Sequence, residues 1–275
     1  MSARASQPDG DSDPDHERHT RQTRRGFTLV ELMISLAIVA VLIAILLPAV
    51  RGTLQSSRSF KCQMAQRSVA FSFSIFADES LGADRGRFQT GTQSFSLISF
   101  IDSQYQIGDF WGYPGSTQVE MPDASGSDPL RCPNVVGPVR LVSGRNCHRG
   151  GVIPPEHVSF GFNMRLHASE QNIEGQGWSA VPVRLSSGIL TQTFTPLLWD
   201  VDGEAASANA VSPMLSAPTL NSPEVFAGDR YWFPGMRHGG KANFAFIDGH
   251  VKESSAPLAQ REWQWRYVPT EGPLP

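Results

Sequence analysis

An uninterrupted apolar run near the N-terminus is the strongest pattern in this chain. Residues 27–50, FTLVELMISLAIVAVLIAILLPAV, contain a single charged side chain, Glu31. A helix rises 1.5 Å per residue, so the run would be roughly 36 Å long, against a bilayer hydrocarbon core of about 30 Å. The pattern therefore predicts a transmembrane helix over residues 27–50.

After this run the apolar pattern narrows to a stripe. Five side chains recur at spacings of three and four residues, which is one face of a helix: Cys62, Ala65, Val69, Phe73 and Phe76. The opposite side is polar and carries Ser57, Arg58, Lys61 and Arg67. We expect the helix to continue over residues 51–80, ending near Ala77, and to pack its stripe on a folded body. The aromatic residues 71–76 also suit a strand, which leaves the end of the helix open.

Residues 81–275 alternate short apolar segments with segments rich in Gly, Pro and Ser. Four segments have the aromatic content and alternation of strands, namely 93–101, 157–162, 195–202 and 242–252. The stretch 206–224 is predicted to be a surface loop. The predicted fold class is α+β, with a long N-terminal helix packed on a small antiparallel β-sheet body.

The last of these segments has its own turn signal. In NFAFIDGHV, two apolar stretches flank Asp248 and Gly249, and an Asp-Gly pair between such stretches predicts a β-hairpin.

Composition and charge add the organisation of the N-terminus. The chain has 25 glycines and 20 prolines, which favours a loop-rich body over a helical bundle, and its net charge of -3 gives no indication of nucleic-acid binding. Residues 1–26 contain no Leu, Ile, Val, Phe, Tyr or Trp, so we expect them to be disordered. Arginines crowd the cytoplasmic side of the predicted span at positions 18, 21, 24 and 25. By the positive-inside rule, the body is then exported.

Three interpretations of the apolar run compete. A cleaved secretory signal peptide would have a shorter apolar core and a small-residue site on the far side, where this chain has LLPAVRG. A plain signal anchor fits the length but leaves Glu31 unexplained, because a carboxylate inside a membrane segment costs about 2.5–3.5 kcal/mol or more.

The third interpretation rests on a resemblance. RRGFTLVELMISLAIVAVLIAILLP resembles the N-terminal processing and methylation signature of type IV pilins and type II secretion pseudopilins. The resemblance implies that a prepilin peptidase removes residues 1–26 by cutting after Gly26 and methylates the new amine of Phe27. It also places the motif's glutamate at Glu31, the fifth residue after the cut, and the commonly found proline at Pro48.

The same resemblance implies a role for Glu31 in assembly. The carboxylate of one subunit would pair with the Phe27 amine of its neighbour, so burying it becomes tolerable only in a filament. Pro48 would remove one helix hydrogen bond and kink the helix near the membrane exit.

A second resemblance lies at the C-terminus. His238, nine further residues, and then Asp248-Gly249 resemble the H-X9-DG element of pseudopilin-like proteins abundant in planctomycetes. Those proteins also carry a cysteine in the helix, a CP dipeptide and a Y/F-G-x-N strand. Here Cys62, the RCP at 131–133 and the SFGFN at 159–163 match in the same order.

The roles of His238 and Asp248 stay open between structure and metal binding. The structural alternative has His238 bond across the hairpin while Asp248 closes the turn. The metal alternative adds the DVDG loop, whose Asp200 and Asp202 suit calcium, although the loop lacks the remaining EF-hand ligands. His250 with His238 would instead suit a transition metal. We expect no other cofactor.

Three cysteines allow one disulfide at most. Cys132–Cys147 would close a short loop, whereas Cys62–Cys132 would pin the helix to the body. The second pair is the one that the C-terminal family resemblance implies.

These patterns together predict a pilin-like or pseudopilin-like subunit rather than an enzyme. The sequence has no G-x-S-x-G elbow, H-E-x-x-H helix or phosphate loop. The expected partners are the prepilin peptidase/methyltransferase, other pilin-like subunits and an inner-membrane assembly platform. The expected location is the inner membrane, with the N-terminus cytoplasmic and residues 81–275 periplasmic. The alternative is a membrane-anchored extracytoplasmic binding or structural protein that does not assemble.

Overall fold

The computed structural model describes residues 26–82, 94–105, 118–120, 131–135, 137–142 and 152–268. The predicted leader, apart from Gly26, and Cys147 lie outside the described residues. The chain divides after Val50 into two units, residues 1–50 and 51–275, which are described separately below.

The described part of the first unit is the start of a long helix, α1, which spans Leu29–Gly82. Every side chain from Gly26 to Val50 is exposed. Within the part of the chain that the structure describes, α1 is the one helix long and apolar enough, by length and composition, to cross a membrane. The helix runs through Pro48, which has no N–H to donate to the carbonyl four residues earlier. The predicted kink at this proline stays a prediction.

The second unit begins with the rest of α1, whose buried face is the predicted one. Cys62, Ala65, Val69 and Phe73 are buried, and Phe76 is half-buried against the same core. The helix ends at Gly82, two residues beyond the predicted continuation. A strand over residues 71–76 is therefore excluded.

A five-stranded sheet forms the centre of the second unit. Its strands are β4 (Phe160–Asn163), β7 (Pro196–Asp200), β8 (Leu215–Ser216), β9 (Ala242–Phe246) and β10 (Val251–Ser254), in the spatial order β10-β9-β7-β4-β8. All neighbours are antiparallel except β4 and β8, which are parallel. The predicted α+β class is confirmed, and three of the four predicted strand segments contribute strands to this sheet.

Smaller elements surround the sheet. A three-stranded antiparallel sheet consists of β1 (Gln118–Glu120), β2 (Arg140–Val142) and β3 (Val152–Ile153). Strands β5 (Ala168–Ile173) and β6 (Gly177–Pro182) form a separate antiparallel hairpin. Helix α2 is Leu97–Tyr105 and helix α3 is Gly203–Ala208. Single 3-10 turns lie at Pro155–His157, Met164–Leu166, Ser187–Thr191 and Pro257–Ala259.

Two predictions about the body are wrong. In the segment 93–101, the described residues 94–101 form no strand: among them, Phe95 makes a bridge to Leu185 before the chain enters α2. Its apolar residues at 97, 98, 100 and 101 have helical spacing, and this outweighs its aromatic content. The segment 206–224 is not simply a surface loop, because it contains the end of α3, strand β8 and several buried side chains: Ala206, Val211, Ser216, Ala217 and Ser222.

Different side chains cover the two faces of the sheet. On one face, Phe162 of β4 contacts Phe100 of α2 with ring centroids 6.0 Å apart, and Phe100 contacts Phe73 of α1 at 5.1 Å. On the other, Trp199 and Phe244 pack with Trp265, 5.5 and 6.2 Å away. The sheet is therefore sandwiched between helices and a Trp-rich C-terminal segment, which makes its strands buried on both faces.

The predicted hairpin at 242–252 is confirmed as β9 and β10. The Gly249 N–H donates to the Phe246 carbonyl at 2.9 Å, and the Phe246 N–H donates to the His250 carbonyl at 2.9 Å. Gly249 has φ 86°, a left-handed conformation that favours glycine. The turn is thus a three-residue loop of the kind in which a turn is followed by a left-handed glycine.

Candidate functional site

The N-terminal end of α1 carries the residues predicted to direct processing and assembly. Thr28 precedes the first helical residue and exchanges hydrogen bonds with Glu31. The Thr28 N–H and hydroxyl donate to Glu31 Oε2 at 2.9 and 2.8 Å, and the Glu31 N–H donates to Thr28 Oγ1 at 3.2 Å. This reciprocal pair is a capping box, which satisfies backbone donors that a helix start leaves unpaired.

The residues on either side of the predicted cleavage bond, Gly26 and Phe27, are not packed against other described residues. A Cβ atom added at Gly26 would meet nothing within 4 Å, and Phe27 is 80% exposed. Neither packing nor backbone conformation in the described residues therefore requires a glycine at position 26.

A second candidate site lies inside the body and is called the four-residue cluster here. Its members are Cys62, Cys132, Asp200 and His238, all of them buried. One atom that can bind a metal from each side chain lies within 4.8 Å of all the others. Cys62 Sγ is 3.1 Å from Asp200 Oδ1, Cys132 Sγ is 3.5 Å from His238 Nε2, and His238 Nε2 is 3.4 Å from Asp200 Oδ2.

Each member of the four-residue cluster is placed by a different element. Cys62 lies on the buried stripe of α1, and Asp200 is the last residue of β7. Cys132 opens a turn in which the Val135 N–H donates to the Cys132 carbonyl at 2.9 Å. His238 precedes β9 in a tight turn closed by its N–H and the Lys241 carbonyl at 3.1 Å.

Two glycines make that tight turn feasible. Gly239 and Gly240 have φ values of 66° and 80°, which other residues rarely adopt. The HGG sequence therefore turns the chain sharply and leaves His238 pointing inward.

Hydrogen bonds from outside the cluster fix the carboxylate of Asp200. The Asn243 backbone N–H donates to Oδ2 at 2.8 Å, and Arg237 Nη2 donates to Oδ1 at 3.2 Å. Arg237 also donates to the carbonyls of Val201 and Ser159, at 2.5 and 2.7 Å, and so clamps the ends of β7 and β4. The carboxylate has little freedom to turn away from the cluster.

The members of the cluster set one another's protonation. A hydrogen bond from Cys62 outweighs burial and lowers the pKa of Cys132 to about 5. Burial, followed by its contacts with Cys132 and Asp200, raises the pKa of Cys62 far above that of an ordinary thiol. Burial alone would lower the pKa of His238, but hydrogen bonds to Asp200 and Cys132 raise it to about 9. These shifts favour a thiolate at Cys132 and an imidazolium at His238.

The structure brings together some of the predicted site residues and separates others. Asp200 and His238 join the two cysteines in one cluster, whereas Asp202 is exposed and caps α3 by accepting from the N–H groups of Glu204 and Ala205 at 3.0 and 3.1 Å. Asp248 lies beyond the other end of β9, where it accepts from the His250 N–H and Nδ1 at 3.1 and 2.5 Å.

The two cysteines of the predicted disulfide are neighbours in the structure. Cys62 and Cys132 are both free thiols with their sulfur atoms within 4.8 Å. This arrangement supports two kinds of chemistry: bonding of the two sulfurs to each other, or binding of a metal by the whole cluster. The disulfide stays a prediction.

Comparison with known proteins identifies one segment of the chain. Residues 21–47 match the family model described as "Prokaryotic N-terminal methylation motif". The motif indicates a type IV pilin-like or pseudopilin-like prepilin. This motif followed by an apolar N-terminal helix is typical of membrane-anchored proteins that prepilin peptidase processes. Pilin-like proteins are generally structural subunits without enzymatic activity. No curated protein and no solved structure matches the chain.

Sequence reasoning missed two features of these sites. The Thr28–Glu31 capping box has a sequence signal, since TLVE fits the S/T-x-x-E pattern in front of an apolar run. The four-residue cluster has none, because its members come from four segments far apart in the chain. Asp200 and His238 were candidates for a metal and Cys62 and Cys132 for a disulfide, and only the fold shows that all four meet.

Proposed function

We propose that this protein is a pilin-like or pseudopilin-like subunit that assembles into a type II secretion or type IV pilus-like filament. The observation that carries the proposal is the match of residues 21–47 to the N-terminal methylation motif, with Glu31 at the start of an exposed apolar helix. The C-terminal H-X9-DG element, His238 to Gly249, supports assignment to the pseudopilin-like proteins that it resembles.

The proposed processing consists of a cut between Gly26 and Phe27 followed by methylation of the Phe27 amine. Support comes from Gly26 itself, because the surroundings of this residue do not require a glycine. We therefore assign the glycine to recognition by prepilin peptidase. The cut leaves the Thr28 N–H intact, so the capping box survives processing.

The proposed assembly step is an exchange of partners by Glu31. In the single chain its carboxylate accepts hydrogen bonds from Thr28. In a filament it would instead accept a hydrogen bond from the positively charged Phe27 amine of the neighbouring subunit. Both contacts are charge-assisted hydrogen bonds, but the contact with the amine also joins two opposite charges, whose attraction is stronger in lipid than in water. This pairing would favour the assembled state over the capped single subunit.

The outer surface of α1 supports contact with other copies. In the second unit, the side of the helix turned away from the body still carries large exposed apolar side chains: Phe60, Met64, Phe71 and Ile75. Their spacing of four, seven and four residues places them on one face. A second copy of this chain is the occupant we propose for that face.

The proposed location follows from the arginines before the run. The protein would sit in the inner membrane with a cytoplasmic N-terminus and a periplasmic body, and its partners would be prepilin peptidase, other pilin-like subunits and the inner-membrane assembly platform. In labelling of intact and permeabilised cells, a thiol reagent that does not cross the inner membrane should reach Cys147, the cysteine outside the four-residue cluster, in both preparations. Thiols accessible from the cytoplasm would contradict this orientation.

Mass spectrometry of the membrane-extracted protein tests processing. The expected N-terminus is methylated Phe27, and Gly26→Val should leave the leader attached. Gly52→Val is the matched control, since a Cβ at Gly52 also meets nothing within 4 Å. A mature chain starting near Arg51 would instead show a conventional signal peptide.

Cross-linking between the α1 helices of adjacent subunits tests assembly. Glu31→Gln keeps the shape of the side chain and its capacity to cap, but removes the charge, so cross-linking in membranes containing the assembly machinery should be lost. Thr28→Val is the control: it removes the hydroxyl of the capping box and keeps the charge, and it should still cross-link. Equal cross-linking in wild type and Glu31→Gln would favour the alternative of an anchored protein that does not assemble.

A further inference from the structure

We propose that the four-residue cluster is a zinc-binding site whose ligands are Cys62, Cys132, Asp200 and His238. The site would join α1 to the sheet and to the turn at Cys132. This inference concerns the stability of the body and is independent of the proposed function in filament assembly.

The donor atoms of the cluster match the preferences of zinc. Two sulfurs, one imidazole nitrogen and one carboxylate oxygen make four ligands of the types that hold Zn2+ in tetrahedral sites. Calcium prefers six to eight oxygen ligands, and the cluster offers a single carboxylate. Four protein ligands in a buried place leave no open coordination position, which is typical of a structural site rather than a catalytic one.

The distances between the donor atoms fit an ion at the centre of the cluster. With Zn–S of about 2.3 Å and Zn–N or Zn–O of about 2.0–2.2 Å, neighbouring ligands of a tetrahedral site are roughly 3.3–3.8 Å apart. Three contacts in the cluster measure 3.1 Å (Cys62 Sγ to Asp200 Oδ1), 3.5 Å (Cys132 Sγ to His238 Nε2) and 3.4 Å (His238 Nε2 to Asp200 Oδ2). Because no pair exceeds 4.8 Å, small side-chain adjustments complete the tetrahedron.

The charges around the cluster also suit a divalent cation. Two thiolates, one carboxylate and a neutral imidazole give the protein ligands three negative charges, and zinc reduces this to one. Arg237, whose guanidinium is 3.2 Å from Asp200 Oδ1, balances the remaining charge. Zinc binding requires deprotonated thiols and a neutral imidazole and therefore releases protons, and a buried site with balanced charge avoids the desolvation cost of an unpaired ion.

The surroundings of Asp200 are organised as they are around a metal-bound carboxylate. Hydrogen bonds from Asn243 N–H and Arg237 orient the Asp200 carboxylate, and such outer contacts tune metal affinity. Within the described residues, the polar contacts of the His238 ring all involve Nε2, the atom that faces the other three ligands, and the buried Nδ1 atom has no hydrogen-bond partner.

A Cys62–Cys132 disulfide would use the same two sulfurs and therefore excludes the metal. The disulfide does not require a carboxylate and an imidazole beside it. The convergence of Asp200 and His238 on the two sulfurs, at 3.1 and 3.5 Å, is explained by a metal and not by a disulfide.

Metal analysis of the full-length chain is the first test. The protein is produced with zinc, extracted in detergent without chelator or reductant, desalted, and measured by inductively coupled plasma mass spectrometry. About one zinc per chain is expected. Asp200→Asn and His238→Gln should each lower the zinc content at least about tenfold.

Matched controls are available for both substitutions. Asp202→Asn and His250→Gln make the same chemical changes at residues outside the cluster, and both should retain the zinc. Arg237→Gln should weaken affinity about 10–100-fold without abolishing binding, since Arg237 orients a ligand.

Two measurements on the unchanged chain keep the proposal testable even if a variant fails to fold. Replacement of zinc by Co2+ should give thiolate-to-cobalt charge transfer and the visible bands of a tetrahedral site. Iodoacetamide should modify Cys62 and Cys132 only after a chelator is added. The proposal is overturned by absence of stoichiometric zinc, by modification of both thiols without chelator, or by a Cys62–Cys132 linked peptide that needs reductant to open.

Discussion

The two halves of helix α1 are made of different sequence and have different surroundings. Between Leu29 and Val50 the helix is almost wholly apolar, and all of its side chains are exposed. Between Arg51 and Gly82 its composition is mixed, and a stripe of seven side chains is buried: Cys62, Ala65, Gln66, Val69, Ala70, Phe73 and Ala77. The more apolar half thus contributes nothing to the core of the single chain.

This difference shows that apolar content and core membership are separate properties. A helix that is apolar on all sides cannot bury all its side chains against one folded body. It needs an apolar solvent or several neighbouring helices. A helix with a narrow stripe needs only one partner surface. The experiments below should separate the two halves.

Removing a stripe residue should have the largest effect. Phe73 is fully buried, so Phe73→Ala should lower the free energy of unfolding of the body by about 3–5 kcal/mol. The matched control is Phe71→Ala, since Phe71 is 63% exposed on the same helix, and it should change the stability by less than about 0.5 kcal/mol.

Denaturant titration of the full chain in detergent measures both variants. All six tryptophans lie beyond residue 110, so their fluorescence reports on the body and not on the apolar half. Similar losses for Phe73→Ala and Phe71→Ala would mean that α1 does not pack on the sheet as described.

Substitutions at two glycines should have smaller effects on stability, and the two effects should differ in sign. Gly249 has φ 86° in the hairpin turn, so Gly249→Ala should destabilise the body by about 1–2 kcal/mol. Gly52 is helical and exposed, with open space around it, so Gly52→Ala should be neutral or stabilising by up to about 1 kcal/mol.

The same titration reads the result, together with far-ultraviolet circular dichroism for helix content. If Gly249→Ala left the midpoint of the body unchanged, the left-handed turn between β9 and β10 would be in doubt.

Mild acid should produce the smallest effect and should act on the body alone. Burial lowers the pKa of His167 below 6.5, so the folded state resists protonation more than the unfolded state does. The unfolded state then binds more protons as pH falls, and the stabilising contribution of neutral His167, fully present above 6.5, is lost progressively below it. The apolar half has no histidine and should keep its helix.

Denaturant midpoints between pH 7 and 5.5, compared for wild type and His167→Gln, check this expectation. The substitution should flatten the fall in stability with decreasing pH. An unchanged slope would show that His167 is as easily protonated in the folded chain as in the unfolded one.

The outline of the fold was predictable because its signals are periodic or local. The stripe from Cys62 to Phe73 repeats at helical spacing, and the hairpin carries an Asp-Gly turn between two apolar stretches. The segment 93–101 misled because its aromatic residues favour a strand, whereas the spacing of Leu97, Ile98, Phe100 and Ile101 favours the helix that forms.

The interior site was predictable only in pieces. Cys62 and Cys132 are 70 positions apart and Asp200 and His238 are 38 apart, so no local pattern links them. Their meeting depends on which strand lies under α1 and on a Gly-Gly turn that directs His238 inward. Sequence reasoning identified all four residues as candidates but assigned them to two unrelated roles.

The capping box at the start of α1 has a consequence for reversibility. Because Glu31 holds the Thr28 N–H and hydroxyl in the single chain, a subunit leaving a filament would not strand a bare carboxylate in the membrane. The carboxylate would return to a partner within its own first helical turn. This partner within the subunit stabilises the unassembled state, so it lowers the cost of leaving the proposed filament and raises the cost of entering it. Such a balance suits a filament whose subunits are drawn from, and given back to, a membrane pool.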